Sequence, residues 1–364
     1  MRRLFAALHF AVLVCLLIVP VPASAAGGGT PAVQQADPTY RIRFPEDEGS
    51  HPAFGKEWWY ISGWLDVPDG DALGFQITFF RLRQDHGEDG RSLSEPRQIF
   101  VGHAALSDPA QGAVLHDQRV APADSGQAGA REGAMDVRMG DWSLAREAGG
   151  AYVIAFPARG FTLALRLEPT QPPMLNGDHG YSQKTPDPTV ASHYYSVPQL
   201  AVNGTVTRGD RALPVTGTAW LDREWFTAPE WIAQPRWDWI GINMADGGAF
   251  MASRVRDHDG NPLWAFGSIR DALGTLTVLG PTEVAFTPLR QWRSSSTGIV
   301  FPVAWRVRVG EREVTIEPMM DDQEYDARET SRLVYWEGAA RALEDGRPVG
   351  RGYLELTGYG PAQP

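Results

Sequence analysis

The sequence predicts an all-β protein that consists of two related antiparallel domains, and three observations support this prediction. Short segments rich in β-branched and aromatic residues recur along the chain, separated by turn sequences such as PDGDA and EDGRPVG. The three- and four-residue spacing of apolar positions that is typical of amphipathic helices is not sustained over any long segment. In addition, an ordered set of short motifs occurs once in each half of the chain.

The N-terminal residues predict that the protein is exported. Arg2 and Arg3 precede an apolar stretch, and Ala23-Ser24-Ala25 matches the small-residue cleavage site of a secretory signal peptide. We therefore predict a Sec-type signal peptide over residues 1–25, with cleavage near Ala25 and a periplasmic or secreted mature protein. Residues 26–43, which begin with a stretch rich in Gly, Ala, Pro and Gln, are predicted to form a flexible leader.

Composition narrows the classes of partner. The 364-residue chain carries 33 Lys and Arg against 44 Asp and Glu, a net charge of −11 that becomes more negative when the two signal-peptide arginines are removed. This balance argues against nucleic acid or an anionic membrane surface as a partner. The single cysteine, Cys15, lies in the predicted signal peptide, so the mature chain would be stabilised without disulfides.

The repeated motifs predict two domains. Trp58-x-Tyr60-Ile61 in the first half corresponds to Trp237-x-Trp239-Ile240 in the second. Three further pairs follow in the same order: RLRQDHG (81–87) with RVRDHDG (254–260), Glu-Pro (168–169) with Glu-Pro (317–318), and a Gly separated by nine residues from Pro-Val (204–215) with its copy (338–349). We expect domains over residues 44–228 and 229–364, related by duplication and joined near residues 227–235.

Alternation along one predicted strand indicates two different faces. Phe75, Ile77 and Phe79 would share one apolar face of this strand. The opposite face would be mixed and would carry Gln76, Thr78 and Phe80. A barrel with a partly polar lumen would show this pattern, and so would a solvated β-sandwich. Closure into a barrel would also hide the exposed edges of the many antiparallel strands.

Five longer segments carry a family resemblance: EWWYISGWL, ASHYYSVPQL, TGTAWLDREW, RWDWIGINM and YWEGAA…GYLELTGY. Together they resemble the hydroxyneurosporene synthase/AttH-like family, from about Phe44 to Gly360. This family of mostly exported bacterial proteins includes carotenoid hydratases. The resemblance implies two tandem lipocalin-like (calycin-type) antiparallel β-barrels related by internal duplication.

Hydration of an isolated carbon–carbon double bond sets requirements for a site. It needs a general acid, an apolar channel, and electron-rich rings that stabilise a cation before water adds. Asp222, Glu224 and Glu57 are the candidate acids, because each lies among aromatic residues where burial would raise the pKa of a carboxyl group. Asp222 and Glu224 would share one face of a strand.

Structural ion pairs offer an alternative role for two of these acids. Asp222 and Glu224 could instead pair with one of three arginines, Arg223, Arg236 or Arg254. In the carotenoid hydratases that the sequence resembles, a His occupies the position of Arg223, and a guanidinium group does not exchange protons near neutral pH.

Further residues are predicted to bind the ligand, because they lie in or beside the aromatic motifs: Trp59, Tyr60, Gln76, His103, Tyr195, Arg223, Trp225, Trp237, Asp238 and Trp239. His103 could equally be a buried histidine that serves only the core. No cofactor and no metal are expected, because the sequence contains neither a Gly-x-Ser-x-Gly nucleophile motif nor a His-Glu-x-x-His or paired Cys-x-x-Cys motif.

These features predict an exported lipocalin-like protein that binds an apolar or amphipathic small molecule, such as a lipid or isoprenoid, in a barrel or in an inter-domain pocket. A membrane transporter complex is a candidate partner. The enzymatic alternative is a cofactor-free hydratase or lyase that adds water to an alkene. A third alternative, a carbohydrate-active hydrolase, would use Asp222 and Glu224 between Trp220 and Trp225.

Overall fold

The computed structural model describes residues 32–68, 70–86, 92–227 and 236–360. In these ranges the chain forms 23 β-strands and two short 3₁₀ turns, Glu46–Glu48 and Ala123–Ser125, and it contains no α-helix. None of the helices in these ranges is long and apolar enough to cross a membrane. The predicted signal peptide and most of the predicted domain junction lie outside the described residues.

The first domain is an antiparallel sheet of thirteen strands, in the order β4-β3-β2-β1-β13-β12-β9-β8-β7-β6-β5, with β10 and β11 also paired to β12. Its strands are β1 (Lys56–Asp66), β2 (Leu73–His86), β3 (Ser92–Asp108), β4 (Ala113–Pro122), β5 (Ala128–Ala130), β6 (Asp136–Met139), β7 (Trp142–Arg146), β8 (Tyr152–Ala158), β9 (Phe161–Pro169), β10 (Met174–Leu175), β11 (Tyr181–Gln183), β12 (Ala191–Arg208) and β13 (Arg211–Phe226).

The second domain is an antiparallel sheet of ten strands, in the order β17-β16-β15-β14-β23-β22-β20-β19-β18, with β21 also paired to β22. Its strands are β14 (Trp237–Met244), β15 (Ala249–Arg256), β16 (Pro262–Arg270), β17 (Leu276–Leu279), β18 (Val284–Arg293), β19 (Val300–Val309), β20 (Arg312–Pro318), β21 (Glu324–Ala327), β22 (Leu333–Glu344) and β23 (Arg347–Leu356).

Both sheets curve into barrels. The two outermost strands of the first sheet, β4 and β5, are consecutive in sequence and are linked only by the 3₁₀ turn at Ala123–Ser125. The outermost strands of the second sheet, β17 and β18, are likewise joined by a short connection. A short connection brings the two edges of each sheet together. The prediction of two tandem lipocalin-like antiparallel barrels is confirmed.

The two barrels repeat the same strand order, which confirms the predicted duplication: β1, β2, β13 and β12 correspond to β14, β15, β23 and β22. The aromatic motifs at Trp58 and Trp237 and the Glu-Pro motifs ending β9 and β20 occupy equivalent positions. The arginine motifs are displaced by two residues, because the register makes Arg81 equivalent to Arg256. The glycines of the Gly…Pro-Val motif are not equivalent. Gly204 lies close to the turn of the β12–β13 hairpin, whereas Gly338 lies further from the turn of the β22–β23 hairpin.

The apolar face of each barrel wall fills its interior. In the first barrel, Phe75, Ile77 and Phe79 lie in one buried apolar core with Trp59 and Ile61. The mixed face of β2 therefore does not line the interior of the first barrel. It faces the second barrel, because a strand presents successive side chains to opposite sides of the sheet.

The described end of the predicted flexible leader is packed against the first barrel. Gln34 forms a bridge with Phe54, and the Tyr40 hydroxyl donates to Asp47 at 2.7 Å. The side chains of Tyr40 and Ile42 also pack against the core of the first barrel. These contacts order a segment whose composition alone suggests flexibility.

The two barrels meet in a close interface along β1, β2, β22 and β23. The indole N–H of Trp64 donates to the carbonyl of Gly352 at 2.9 Å. Gly74 supplies the space for this approach: a Cβ atom added there would lie 2.7 Å from Cβ of Ala339 and 2.8 Å from the hydroxyl of Tyr353. The interface thus depends on a glycine at the start of the mixed face of β2.

We expect Gly74→Ala to lower the free energy of unfolding by roughly 1–3 kcal/mol, because the added methyl group would push the barrels apart. Gly129→Ala is the matched control, since no atom lies within 4 Å of the methyl group added on β5. Urea denaturation of both variants checks the difference. Equal stability of the two variants would show that the inter-barrel contact at Gly74 is loose.

Candidate functional site

The interface between the barrels contains a group of buried polar residues that forms the candidate site. We call this group the inter-barrel site; it consists of Tyr60, Tyr194, Ser196, Asp222, Trp239, Glu337 and Glu355. The first barrel contributes side chains from β1, β12 and β13. The second contributes side chains from β14, β22 and β23, which are the equivalent strands of the duplicated fold.

Asp222 is the most extensively hydrogen-bonded acid of the inter-barrel site. Its carboxyl group accepts from the Tyr194 hydroxyl at 2.7 Å, from the Ser196 hydroxyl at 2.5 Å and from the Trp220 indole at 2.7 Å. The Trp239 indole of the second barrel donates to the Tyr194 hydroxyl at 3.0 Å. The orientation of Asp222 therefore depends on residues from both barrels.

Burial shifts the protonation equilibrium of Asp222 towards neutral pH. It raises the pKa of Asp222 to about 7, although the three hydrogen-bond donors act in the opposite direction, and the nearby Glu224 contributes to the rise. An acid with a pKa close to the working pH can both hold and release a proton, as general acid catalysis requires.

Two further acids of the inter-barrel site come from the second barrel. Burial raises the pKa of Glu337, and the charge of Glu355, its direct neighbour across the strands, adds to this rise. Burial also raises the pKa of Glu355, and the carboxyl groups of Asp222 and Glu224 act in the same direction. Because like charges this close repel one another, the site favours states in which it retains protons.

The duplication explains why these acids face each other. Tyr60 lies opposite Asp222 in the register of β1 and β13, and Asp222 lies opposite Ser196 on β12. The equivalent row in the second barrel is Trp239, Glu355 and Glu337. The rows meet where the rings of Tyr60 and Trp239 pack edge to face, with centroids 5.5 Å apart.

Glu337 and Glu355 were not predicted from the sequence, although both lie within the family segment YWEGAA…GYLELTGY. A signal was present in the alternation of the last strand. Tyr353 and Glu355 share one face there, while Leu354 and Leu356 share the other. A carboxylate on an otherwise buried strand indicates a special environment, because isolated charges are rarely buried.

Aromatic rings surround one opening of the inter-barrel site. Trp58 contacts Phe226 and Phe80, with ring centroids 5.3 and 6.3 Å apart, while Trp237 and Phe266 pack against the same interface cluster. All five rings are only partly buried, and Glu355 is also partly accessible although protein surrounds it. The rings and Glu355 are therefore the part of the inter-barrel site that lies nearest to solvent.

Glu224 lies at this opening and is held by lysine rather than arginine. Its carboxylate is 2.8 Å from Nζ of Lys184, and that ammonium group also lies over the rings of Tyr194 and Phe266 at 4.7 and 4.3 Å. The predicted pairing of Asp222 and Glu224 with Arg223, Arg236 or Arg254 is not found among the described residues.

Glu57 forms a separate ionic cluster inside the first barrel. It pairs with Arg81 at 2.5 Å and with Arg223, and it accepts from the Ser50 hydroxyl at 2.6 Å. Although burial acts in the opposite direction, the two guanidinium groups and His51 hold the pKa of Glu57 well below its usual range. Glu57 is therefore held ionised, and the prediction that it is an acid catalyst is not supported.

Strand alternation divides the predicted ligand-binding residues among three locations. Those on the inter-barrel face are Tyr60, Gln76, His103, Trp237 and Trp239. Those inside the first barrel are Trp59, Tyr195, Arg223 and Trp225. Asp238 lies inside the second barrel, where it binds Arg254 at 2.5 Å. Trp220 and Trp225 also point to opposite faces, so they cannot flank Asp222 and Glu224 together, as the carbohydrate hypothesis requires.

His103 is a structural residue of the interface. Its Nδ1 atom lies 2.9 Å from the Tyr335 hydroxyl, and its Nε2 atom lies 3.0 Å from the Thr330 hydroxyl. Burial lowers the pKa of His103 to about 3, so the ring is neutral at physiological pH. This supports the alternative interpretation of His103 as a core histidine.

Comparison with known proteins agrees with the architecture. A solved structure assigned to AttH, from Nitrosomonas europaea, shares 46% identity at a TM-score of 0.83, over 90% of this chain and 100% of that chain. Kievitone hydratase from Nectria haematococca shares 15% identity at a TM-score of 0.62, over 90% and 98% of the two chains. The structure of CghA with Sch210972 shares 12% identity at a TM-score of 0.51, over 83% and 88%.

The two relatives of low identity share the fold with this chain. A comparison with curated proteins gives no match. The model of the family described as AttH-like matches residues 35–359, which include both barrels and every residue of the inter-barrel site. The chain belongs to the AttH-like family.

Proposed function

We propose that the inter-barrel site binds an apolar or amphipathic small molecule and catalyses the addition of water to a carbon–carbon double bond, or the reverse elimination. One observation carries the proposal: three carboxyl groups with raised pKa values, the buried Asp222 and Glu337 and the half-buried Glu355, face aromatic rings from both barrels. A protein that only carries an apolar molecule has no need for such acids, because each ionisable group buried without a counterion destabilises the fold.

The proposed reaction balances with groups of the site alone. Protonated Asp222 donates its proton to one carbon of the double bond, and a cation develops on the other carbon. The electron-rich ring pair of Tyr60 and Trp239 stabilises this cation. Water then forms a bond to the cationic carbon, and the carboxylate of Glu355 accepts the proton that the water loses. Exchange with solvent through the partly exposed Glu355 returns both acids to their starting states.

The comparisons favour this reaction class over simple transport. One structure with the same fold is named a hydratase, although the likeness at 15% identity extends to the fold alone. The aromatic opening at Trp58 and Trp237 suits an apolar substrate, and Lys184 beside Glu224 suits a polar group at one end of it. An amphipathic alkene therefore fits the site better than a sugar.

We expect Asp222→Asn to reduce turnover by about 100-fold or more, because the amide cannot donate the catalytic proton. Substrate binding should be retained, because the amide keeps the shape of the side chain. Geranylgeraniol, squalene and oleic acid are suitable probes. Incubation in H₂¹⁸O followed by mass spectrometry detects a product that has gained labelled water. Binding is followed separately by quenching of tryptophan fluorescence.

Asp66→Asn provides the control for this experiment. Asp66 lies on the same face of β1 as Tyr60, but outside the inter-barrel site, and it pairs with Arg351 at 2.6 Å. Turnover should survive in this variant. Binding of a probe without any labelled product in the unmodified protein would instead favour a carrier, and full activity of Asp222→Asn would remove Asp222 from the mechanism.

The raised pKa of Asp222 also predicts a pH effect on stability. Between the ordinary pKa of an aspartate, near 4, and about 7, the folded protein holds a proton that the unfolded chain has lost, so stability falls as pH rises through this window. From about pH 5 to pH 8, wild type should lose roughly 2 kcal/mol more of unfolding free energy than Asp222→Asn. Urea denaturation at both pH values measures this, and a constant difference between the two proteins would contradict it.

We also propose that the protein acts outside the cytoplasm after removal of residues 1–25. The Arg2-Arg3 pair, the apolar stretch and Ala23-Ser24-Ala25 support this proposal. Sequencing the N-terminus of protein recovered from periplasm should find a chain that starts at or near Ala26. Recovery of the intact N-terminus from the cytoplasm would contradict the proposal.

A further inference from the structure

We propose a second binding site, specific for a small organic carboxylate, in the groove at the other end of the interface between the barrels. An open pocket of about 360 Å³ lies there. Its walls include two arginines, one hydroxyl group and three apolar residues: Arg341, Arg351, Thr218, Met244, Ala245 and Pro348. The proposal does not depend on the function proposed for the inter-barrel site.

Two guanidinium groups lie together in this pocket. Arg341 on β22 and Arg351 on β23 are direct cross-strand neighbours. Both lie over the ring of Trp64, with their guanidinium carbons 4.7 and 5.8 Å from the ring centroid. Like charges placed directly opposite each other on a sheet destabilise it, so this arrangement calls for a compensating anion.

The protein supplies only part of that compensation. Asp66 forms two hydrogen bonds with Arg351, at 2.6 and 2.7 Å. Arg341 has no carboxylate at ion-pair distance within the described residues, although Glu317 is its cross-strand neighbour on β20. Among the described residues, Arg341 thus makes no ion pair, and a single unpaired guanidinium group matches a monoanion better than a dianion.

The other walls indicate the rest of the ligand. Thr218, the neighbour of Trp64 on β13, has a partly exposed hydroxyl side chain with no hydrogen-bond partner in the described part of the chain. It can donate to the same anion as Arg341. Met244, Ala245 and Pro348 offer apolar surface beside these donors. A carboxylate with an apolar body satisfies both parts, because guanidinium groups bind carboxylates in a planar, bidentate geometry.

Benzoate is the probe for the first test, and benzyl alcohol is its uncharged counterpart. Isothermal titration calorimetry on the mature protein should detect benzoate binding and no comparable binding of benzyl alcohol. Arg341→Gln should weaken benzoate binding by about tenfold or more, because it removes a charge-assisted hydrogen bond. Arg306→Gln is the matched control, since Arg306 is an exposed arginine on β19 in the same barrel, 3.5 Å from Glu313.

Three results would overturn the proposal. The first is an equal affinity of benzoate for Arg341→Gln and wild type, and the second is an equal affinity of benzoate and benzyl alcohol for wild type. The third is that inorganic phosphate binds in an Arg341-dependent manner while benzoate does not, which would make the ligand class wrong. Benzoate should also bind unchanged to Asp222→Asn, so that a failure of the hydratase proposal leaves this test intact.

Discussion

The alternation of side chains along β1 and β13 is the constraint on which the rest of this structure depends. Each of these strands completes the core of the first barrel with one set of residues and contacts the second barrel with the other. Trp59 and Ile61 are buried in the barrel, while Tyr60 and Trp64 reach the interface. A shift by one residue would exchange the two sets and place the chemistry inside a packed core.

The same alternation separates two kinds of buried acid. Glu57 faces the barrel interior, where arginines from β2 and β13 surround it, and it is held ionised. Asp222 faces the other barrel, where only neutral donors reach it, and burial favours its protonated form. Arg223 is adjacent to Asp222 in sequence yet compensates Glu57. Glu57 and Asp222, which both lie among aromatic residues on paired strands, thus have pKa values shifted in opposite directions.

The strand pattern and the duplication could be predicted from the sequence, because period-two patterns and repeated motifs depend on local order. Asp222 and Tyr60, both predicted site residues, lie together in the inter-barrel site. The sequence could not predict which face of each strand meets the other barrel, since an apolar barrel interior and an apolar interface both select large side chains. For that reason Trp59 and Trp225 were grouped with Trp239. Glu337 was missed because Tyr60 is distant in sequence and reaches it only through the docking of the barrels, whereas Glu355 lies opposite it in the β22–β23 hairpin.

Asp222 and Glu355 occupy equivalent positions in the two halves of the chain and face one another across the interface. A homodimer of a single ancestral barrel would have presented the same acid twice across its twofold axis, with identical surroundings on each side. Fusion into one polypeptide lets each copy change independently, so one acid has acquired Tyr194 and Ser196 as neighbours and the other has acquired Glu337. The duplicated fold therefore places two acids with different surroundings at equivalent positions, which a symmetric pair of identical barrels could not do.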